Sequence, residues 1–563
     1  MKSILTALAG LLTATVATTS AFGAASDPSP TIRIEQGVVR GATAADGVQA
    51  FKGIPYALPP VGPSRWRPPA PAGGWSGVRD ATQFGPACPQ PQTSPGSIYA
   101  DPPAKMSEDC LSLNVWTPKG SGRAPVMVWI HGGSQTFGYT GSPLYDGSAL
   151  AARGVVVVTV NYRLGVLGYL ALPALSAESP HGSSGNYGLL DQIEALRWVR
   201  RNITAFGGDP SNVTIFGESA GAMSVVQMLA SPLARGLFQK AIAESGGMPT
   251  LPELKTATHG LPSAEGMGQA VAAAAGGADL AALRAMDPAT LTKAAYAAKY
   301  QVWSTVDGWV LTRQTVETFD RGEQAHVPTL AGFNGDEIRA LFKPPTVPDA
   351  KTYVAAIRER YGNLADDYLR LYPPSDLDGS VQKAMRDTTF GWGMVRLAAK
   401  QAAVGAPAYL YLFEHSYPVA GRPGLGAFHG VEVPYVFGEI GKPLPPAWPA
   451  APDTEVDRRL QNAMGGYWTN FARTGSPGTS GGVAWPRYGT AGRYLDFRDK
   501  PTIGVDPMHG AYALQEEAMC RRRSAGDQPW IINVGVGSSP LPPATEGCEP
   551  PGARANAAPE ANR

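Results

Sequence analysis

Residues 212–230 read NVTIFGESAGAMSVVQMLA, in which a β-branched run, a serine between two glycines and an apolar helical pattern follow one another. The β-branched run before Ser219 has the character of a buried strand, and apolar residues at helical spacing follow it. A strand that turns sharply into a helix strains the backbone at its apex and presents the apical side chain outward. Gly217 and Gly221 flank the serine, as expected where strand and helix approach too closely for side chains. The stretch predicts a nucleophilic serine at a strand end.

A second G-x-S-x-G match surrounds Ser480, in GTSGG at residues 478–482. With 67 glycines in 563 residues a chance match is unsurprising, so the flanking sequence has to decide. No strand-like run precedes Ser480 and no apolar helix follows it, which indicates a structural serine in a flexible loop. Ser219 is therefore the candidate nucleophile.

Apolar runs of strand length alternate with helical segments along most of the chain. Residues 124–133 and 154–163 are apolar on both faces, which is typical of strands inside a parallel sheet. Residues 186–210 have helical periodicity, and helical blocks at about 262–300 and 350–403 have the character of inserts over one end of the sheet. The alternation predicts an α/β fold with a mostly parallel central sheet and crossover helices.

The two ends of the chain differ in composition from the middle. Residues 1–25 carry one Lys, a short apolar stretch and then small residues, the pattern of a signal peptide with cleavage after Gly23 or Ala25. We expect one domain over residues 26–535 and a disordered tail over residues 536–563. No run is long and apolar enough to cross a bilayer, so we expect no stable membrane insertion.

The composition and the cysteine count bound the partners and the compartment. A formal net charge of +1 gives no electrostatic basis for nucleic acid as a main partner. Four cysteines fit the oxidising compartment that a signal peptide implies. Of the three possible pairings, the most local joins Cys88 to Cys110 and Cys520 to Cys548. No cluster of metal ligands stands out, and we expect neither a metal nor an organic cofactor.

A serine hydroxyl needs oxyanion donors, a base and an acid to become reactive. Residues 129–138, WIHGGSQTFG, place glycines directly after a buried strand, where successive backbone N–H groups can point toward one site. The N–H of Ala220 adds a donor at the start of the helix that follows Ser219.

Seven histidines are candidates for the base, and the chain order of an elbow-type hydrolase runs serine, acid, histidine. His429 lies in a glycine-rich loop after the strand predicted at 407–415, where such a base belongs. His415 is on that strand and is expected to be structural, and His509 is a weaker rival. Activity should then fall below about pH 6.5, the unperturbed histidine value, as His429 takes up a proton.

The acid should follow a strand and precede the base. LAGFNGDEIRAL, residues 330–341, offers Asp336 and Glu337 in that position. Either carboxylate could hold the imidazole in the correct tautomer, and spacing alone does not choose between them.

A series of stretches resembles the type-B carboxylesterase/lipase family of α/β-hydrolases, which includes cholinesterases and bacterial p-nitrobenzyl esterases. The resemblance covers about residues 30–520. The stretches that carry it are FKGIPYALPPVGPSRWRPP, SEDCLSLNVWTP, VMVWIHGG, VNYRLGVLGYL, GNYGLLDQIEALRWVRRNITAFGGDPSNVTIFGESAG, GFNGDE and FHGVEVPYVFG. It implies an α/β-hydrolase fold with helical inserts capping the active-site gorge, and hydrolysis of carboxylic esters.

The resemblance also implies the roles of the catalytic residues. Ser219 matches the family nucleophile, His429 matches the base, and Glu337, the second acid of GDE, matches the triad acid. Arg339 falls where family members often line the acyl side. It is either a recognition residue for an acidic acyl group or an ordinary solvated arginine.

The oxyanion donors of the family correspond to the backbone N–H groups of Gly133, Ser134 and Ala220. Ser134 replaces the usual third glycine, so its N–H is kept while its added Cβ narrows the pocket. Ala100 stands where cholinesterases carry a choline-binding tryptophan, so we do not expect a choline-ester specialist.

Cys88 and Cys110 match a family disulfide that closes the loop over the gorge. Cys520 matches a family cysteine whose usual partner is absent in this chain, which leaves Cys548 to pair with it.

These observations predict a secreted serine hydrolase that forms an acyl-enzyme on soluble short-chain or aromatic esters, with the small-molecule ester as its partner. One alternative is an interfacial lipase, which needs an apolar lid, whereas residues 88–110 are polar and rich in proline. The other is a non-catalytic binding protein on the same fold, although such proteins typically lose the nucleophile.

Overall fold

The computed structural model describes residues 29–94, 96–120, 122–416, 424–451, 453–531 and 535–548. The expected signal peptide, residues 1–25, lies outside these ranges, as does the end of the expected tail, residues 549–563. The strands within them are β1 (Thr31–Ile34), β2 (Gly37–Arg40), β3 (Ala42–Thr43), β4 (Gln49–Pro55), β5 (Val78–Asp80), β6 (Ser112–Thr117), β7 (Ala124–Ile130), β8 (Val156–Val160), β9 (Gly208–Glu218), β10 (Lys240–Glu244), β11 (Thr329–Asn334), β12 (Ala408–Phe413), β13 (Thr479–Ser480), β14 (Val483–Ala484), β15 (Arg493–Phe497) and β16 (Pro501–Val505).

The α-helices of the described residues connect these strands or extend beyond them. They are α1 (Ser148–Ala152), α2 (Gly165–Tyr169), α3 (Pro173–Glu178), α4 (Tyr187–Asn202), α5 (Ala220–Ala230), α6 (Ala264–Ala274), α7 (Leu280–Ala285), α8 (Pro288–Ala297), α9 (Thr315–Asp320), α10 (Ala350–Tyr361), α11 (Ala365–Leu371), α12 (Leu377–Arg386), α13 (Trp392–Ala403), α14 (Val433–Phe437), α15 (Glu455–Thr474) and α16 (Ala511–Ala525).

Eleven of the described strands form one sheet, in the order β16-β15-β12-β11-β10-β9-β7-β8-β6-β4-β3. The seven strands from β15 to β8 are parallel to their neighbours. The strands beyond them at both edges pair antiparallel. The predicted α/β fold with a mostly parallel central sheet is confirmed.

The central strands have both faces covered, as their continuous apolar sequences predict. Every residue of β8, β10, β11 and β12 is buried. Successive residues of β7 point to opposite faces, so Val128 packs into the core that contains α5 and Trp129 into the core that contains α15. Burying one such side chain contributes about 1.5–3 kcal/mol to the free energy of folding, so the packed layers on both faces hold the sheet rigidly.

Helices occupy both blocks that the sequence predicts as inserts. Helices α6, α7 and α8 fall within residues 264–297, and α10 to α13 within residues 350–403. A π-helical turn, Asp387–Gly391, interrupts the second block, and its Phe390 ring lies 4.8 Å from the His429 ring. Among the described helices, none combines the length and apolarity that a membrane span requires.

The structure corrects two expectations about the C-terminal part of the chain. Residues 536–548 are not disordered, because the N–H of Leu541 donates to the carbonyl of Arg360 and Cys548 is bonded to Cys520. Ser480 is not in a flexible loop but ends β13, which pairs with β14. Distant partners order residues 536–548, whereas Ser480 is ordered by a short antiparallel pair with the residues that follow it.

Candidate active site

The site lies at the carboxyl ends of the central parallel strands, where the loops after β7, β9, β11 and β12 meet. This edge is where parallel α/β sheets bind ligands. Each of these loops follows a strand whose last five residues are all buried, so the side chains of the loop are held on a rigid frame.

Ser219 stands at the turn between β9 and α5 with φ 57° and ψ −123°. This is a strained conformation for any residue other than glycine, and it persists only where the surroundings impose it. A Cβ on Gly217 would lie 2.6 Å from the carbonyl oxygen of Ile130, and one on Gly221 would overlap that oxygen. The two glycines let the elbow pack against β7, which holds Ser219 at the cavity.

Glu337 and His429 are in direct contact, although 92 residues separate them in the chain. The distance from His429 Nδ1 to Glu337 Oε2 is 2.6 Å. The other carboxylate oxygen, Oε1, accepts a hydrogen bond of 2.7 Å from the N–H of Asn334, at the end of β11. Both side chains are buried, so the acid orients the imidazole out of reach of solvent.

The neighbouring acid, Asp336, is directed elsewhere. Its Oδ1 accepts a hydrogen bond of 2.6 Å from Arg339 Nε, and its Oδ2 accepts one of 3.0 Å from the N–H of Ala427. The choice that spacing left open is thus made by geometry, since Glu337 faces the histidine and Asp336 does not. Arg339 is paired with Asp336 and is not among the residues that line the cavity.

A second carboxylate approaches the other ring nitrogen of the histidine. Glu218 Oε1 lies 3.1 Å from His429 Nε2, in a close charge pair whose geometry is not that of a hydrogen bond. Burial alone lowers the pKa of His429, but the charges of Glu218, Glu337 and Glu432 outweigh it and raise that pKa to about 9. Burial raises the pKa of Glu218 to about 7, against the opposing effect of His429.

Two further buried acids stand behind this pair. Glu244 accepts a hydrogen bond of 2.9 Å from Trp468 Nε1, and Glu432 accepts one of 2.5 Å from Asn334 Nδ2. Burial raises the pKa of Glu244 to about 8, and burial together with neighbouring acids raises that of Glu432 well above its usual range. At neutral pH part of this group is therefore protonated, which limits its negative charge.

Glu218, Glu244 and Glu432 are not among the site residues that the sequence patterns predict. A local signal existed for two of them, because Glu218 precedes the elbow serine and Glu432 follows His429 by three residues. Glu244 has no such signal, because it reaches the site only through the register of β10 with β9, in which it pairs with Glu218.

The loop after β7 presents unused backbone donors. Gly133 has φ 101° and Ser134 has φ 54°, and the carbonyl of Gly133 accepts the N–H groups of Thr136 and Phe137. Across the described contacts, the N–H groups of Gly133 and Ser134 have no hydrogen-bond partner. Ala220 is the first residue of α5, where an N–H has no acceptor within its own helix.

A Cβ on Gly132 would lie 2.8 Å from the carbonyl oxygen of Glu218 and 3.1 Å from the Cβ of Ser219. The loop after β7 therefore reaches the elbow only because its first glycine has no side chain. This approach brings the free donors to the same place as the serine.

The loop donors, the serine and the histidine line one cavity of about 320 Å³. Its wall includes Ser134, Ser219 and His429, while Glu337 stands behind the histidine and is fully buried. The rest of the wall combines aromatic, aliphatic and polar residues, which are Gln90, Thr93, Ser94, Ser97, Ile98, Tyr99, Asp101, Gly132, Gly133, Phe137, Gly138, Tyr139, Ser142, Leu144, Tyr145, Glu218, Ala340, Leu341, Gly430, Val433, Pro445 and Trp448.

The rival residues of the sequence analysis lie away from this cavity. The carbonyl of Ser480 accepts the hydroxyl of Tyr467. His415 is buried two residues beyond the end of β12 rather than on that strand, with Nε2 2.9 Å from Asp457 Oδ1. His509 is exposed after β16.

The two disulfides join Cys88 to Cys110 and Cys520 to Cys548. The first closes a loop that supplies one wall of the cavity, and Tyr99 of this loop donates its hydroxyl to the carbonyl of His429 at 3.1 Å. In the described part of the chain, no group of three or more His, Cys, Asp or Glu side chains is arranged to hold a metal ion.

Comparisons with known proteins agree with this geometry. The sequence model of the carboxylesterase family matches residues 28–516. The chain is 39% identical to the fumonisin B1 esterase of Sphingopyxis macrogoltabida, over 85% of this chain and 89% of that protein. It is also 39% identical to the para-nitrobenzyl esterase of Bacillus subtilis strain 168, over 84% of this chain and 96% of that one.

Solved structures give the same relationship. A PNB esterase structure superimposes with a TM-score of 0.73 at 37% identity, covering 85% of this chain and 97% of that one. A thermophilic PNB esterase gives the same TM-score at 36% identity, over 86% and 99% of the two chains. The chain therefore belongs to the carboxylesterase family of α/β-hydrolases and is a carboxylic ester hydrolase.

Proposed function

We propose that the protein is an exported serine esterase that cleaves esters through an acyl-enzyme, with Ser219, His429 and Glu337 as its triad. The observation that carries the proposal is the 2.6 Å contact between His429 Nδ1 and Glu337, beside a strained Ser219 that lines the same cavity. An acid bound at Nδ1 keeps Nε2 of the imidazole available for the proton of a nucleophile.

In the acylation step, Ser219 Oγ attacks the ester carbonyl carbon while its proton passes to His429 Nε2. The tetrahedral intermediate then breaks its bond to the alcohol oxygen, and His429 returns the proton to that oxygen as the alcohol leaves. Glu337 stays ionised and stabilises the imidazolium that forms between these events. Water repeats the sequence on the acyl-enzyme, which releases the acid and restores Ser219.

The developing oxyanion would be bound by the N–H groups of Gly133, Ser134 and Ala220. Their lack of protein partners supports this role, since donors left free at a cavity wall suit a charge that appears only during reaction. The N-terminus of α5 adds a favourable potential at the same point.

The resting site has His429 Nε2 beside Glu218, and among the described contacts it has no hydrogen bond to Ser219. This does not contradict the proposed role, because catalytic hydrogen bonds in unliganded enzymes are often loose and tighten when substrate binds. Glu218 is then a second anion that the substrate-bound site has to accommodate.

The cavity supports short-chain or aromatic esters as substrates. Its volume of about 320 Å³ is at the small end for ligand sites, and its wall is rich in aromatic rings. The residues that the Cys88–Cys110 loop contributes include Gln90, Thr93 and Ser94, which are polar and unlike the apolar lid of an interfacial lipase.

Export is supported by the two disulfides, since such bonds persist in oxidising compartments. The N-terminal sequence of protein recovered from outside the cytoplasm would test it, with Ala24 or Ser26 expected as the first residue. An intact Met1 in that material would contradict the proposed processing.

The triad is tested by the pre-steady-state hydrolysis of p-nitrophenyl acetate. The wild type should release a burst of nitrophenol equal to the enzyme and carry one acetyl group on the peptide that contains Ser219. Ser219→Ala should lose the burst and nearly all turnover, whereas the matched variant Ser480→Ala should retain both. Equal losses in the two variants, or acetylation elsewhere, would refute the assignment.

A further inference from the structure

Two acidic side chains and one basic side chain line the cavity. Asp101 and Glu218 line it, and His429 is the sole basic side chain among the described lining residues. Arg339, which could have received an acidic acyl group, is bound to Asp336 and lies outside the lining. The described lining thus offers carboxylates but no lysine or arginine to a charged group on a substrate, and a carboxylate attracts a cation.

Asp101 is the acidic lining residue that has no role in the proposed catalytic mechanism. It belongs to the Cys88–Cys110 loop, and its Oδ1 accepts a hydrogen bond of 3.1 Å from the hydroxyl of Tyr139. No Lys or Arg of the described residues forms an ion pair with it. A half-buried carboxylate with one neutral partner keeps acceptor capacity for a further donor.

Aromatic side chains surround this carboxylate. Tyr139 and Tyr145 line the cavity with Asp101, and Tyr99 and Trp448 stand in the same wall with ring centroids 5.8 Å apart. Burial raises the pKa of Tyr145, and the charges of both Glu218 and Asp101 act in the same direction, so its ring lies within the field of the two acids. Aromatic faces attract cations, and the attraction grows when the cation is desolvated.

We infer that Asp101, with Tyr139 and Tyr145, forms a subsite for a protonated amine, so that esters bearing an ammonium group are preferred over neutral or anionic ones. The inference rests on the proposed function, because the subsite selects substrates for Ser219. The amine N–H donates to the free oxygen of Asp101, while its carbon substituents pack on the tyrosine rings. An N–H donor is required, so a quaternary ammonium group gains less.

The test uses four acetate esters of one phenol scaffold, so that the acyl group and the bond cleaved stay constant. They carry aminomethyl, ethyl, carboxymethyl or trimethylammoniomethyl groups at the para position. The wild type should hydrolyse the aminomethyl ester with a kcat/KM about tenfold or more above that of the ethyl ester. The trimethylammoniomethyl ester should fall between these two, and the carboxymethyl ester should be the poorest.

Asp101→Asn should remove this preference, so that the ratio of kcat/KM for the aminomethyl ester to kcat/KM for the ethyl ester falls to about one. The matched control is Asp109→Asn, which makes the same charge change at an exposed position of the same loop outside the cavity. Asp101→Lys should reverse the order and favour the carboxymethyl ester. Each variant should keep the wild-type melting temperature, because Asp101 is not part of the core.

The outcomes separate this inference from the proposed function. If the wild type does not hydrolyse the ethyl ester, or Ser219→Ala hydrolyses it equally well, the serine mechanism fails. If the ethyl ester is hydrolysed through Ser219 but the aminomethyl ester gains nothing, the amine subsite alone is refuted. An equal loss of preference in Asp101→Asn and Asp109→Asn would also refute it, because the effect would then be one of overall charge.

Discussion

Glu218→Gln should move the acid limb of the pH–rate profile toward lower pH. Glu218 Oε1 lies 3.1 Å from His429 Nε2, the atom that accepts the proton of Ser219 in the proposed mechanism. An anion at this place stabilises the imidazolium, so a smaller fraction of His429 is present as the neutral imidazole that can act as a base. The substitution removes that charge while keeping the size and shape of the side chain.

The size of the effect follows from the contact. At 3.1 Å and an effective dielectric constant of about 20, a carboxylate and an imidazolium attract each other by about 5 kcal/mol. Burial opposes this attraction, and the net result is a His429 pKa raised from 6.5 to about 9, which corresponds to about 3 kcal/mol. Glu337 and Glu432 remain in the variant, so we expect the limb to fall by about one to two pH units rather than to the unperturbed value.

The sign follows from which form of the histidine reacts. A raised pKa keeps His429 protonated to a higher pH, so the wild type should lose kcat/KM as pH falls through a limb that lies above 6.5. The sequence-based expectation placed this limb at about pH 6.5, the value of an unperturbed histidine, so the measured position of the limb distinguishes the two expectations. The ionisations of Glu218 and His429 are coupled, so the apparent pKa of the acid limb reflects both groups. In Glu218→Gln only one of these two ionisations remains.

The assay is kcat/KM for p-nitrophenyl acetate from pH 5 to pH 10, which reports ionisations of the free enzyme. The matched control is Glu244→Gln, since Glu244 pairs in register with Glu218 and is buried, but it is not among the charges that raise the His429 pKa. The acid limb of the pH–rate profile of Glu244→Gln should lie within a few tenths of a pH unit of the acid limb of the wild type. Superimposable limbs for Glu218→Gln and the wild type would refute the reasoning, as would a wild-type limb at or below 6.5.

Three further predictions concern the triad acid, the donor loop and the C-terminal disulfide. Glu337→Gln should lower kcat roughly 10³–10⁴-fold, because the imidazole loses the anion that orients it. The control Asp336→Asn should change kcat only a few-fold. Similar losses of kcat for both variants in steady-state assays would contradict the assignment of Glu337 as the acid. Gly133→Ala should lower kcat roughly 10²–10³-fold with little change in KM. The reason is that residue 133 has φ 101° and that an added Cβ would overlap the carbonyl of Phe137, which displaces the backbone donors. A wild-type kcat in this variant would exclude the loop as a source of oxyanion donors. Replacing both Cys520 and Cys548 by Ser should lower the free energy of unfolding by roughly 3–4 kcal/mol, the stabilisation expected from closing a 28-residue loop. The value of kcat/KM should not change. An unchanged midpoint in a denaturant titration would show that this disulfide does not stabilise the fold.

The elements that follow from local pattern are predicted well. Helix α5 begins and ends at the residues expected from the apolar spacing after Ser219, because helix periodicity and the elbow glycines are both local. Strand β9 begins at Gly208, four residues before the predicted start, since its first residue is paired with Ala124 of β7. A pairing between residues so far apart in the chain leaves no local trace.

The acids around the histidine illustrate the same limit. Glu218 and Glu432 are near the candidate residues in sequence, but their effect on His429 depends on burial and on distances between different strand ends. The choice between Asp336 and Glu337 likewise depends on which side chain faces the imidazole. Charges interact through space, so their consequences appear only after the sheet has assembled.

The amino-acid sequence by itself determined the alternation of strands and helices, the strained serine elbow and the candidates for base and acid, because these depend on the spacing of neighbouring residues. Three features follow only from tertiary contacts: Glu337 meets His429, a second carboxylate lies against the other ring nitrogen, and the described lining of the cavity holds two acids but no lysine or arginine. The physical reason is that pKa values, cavity charge and the ordering of residues 536–548 arise from contacts between distant parts of the chain.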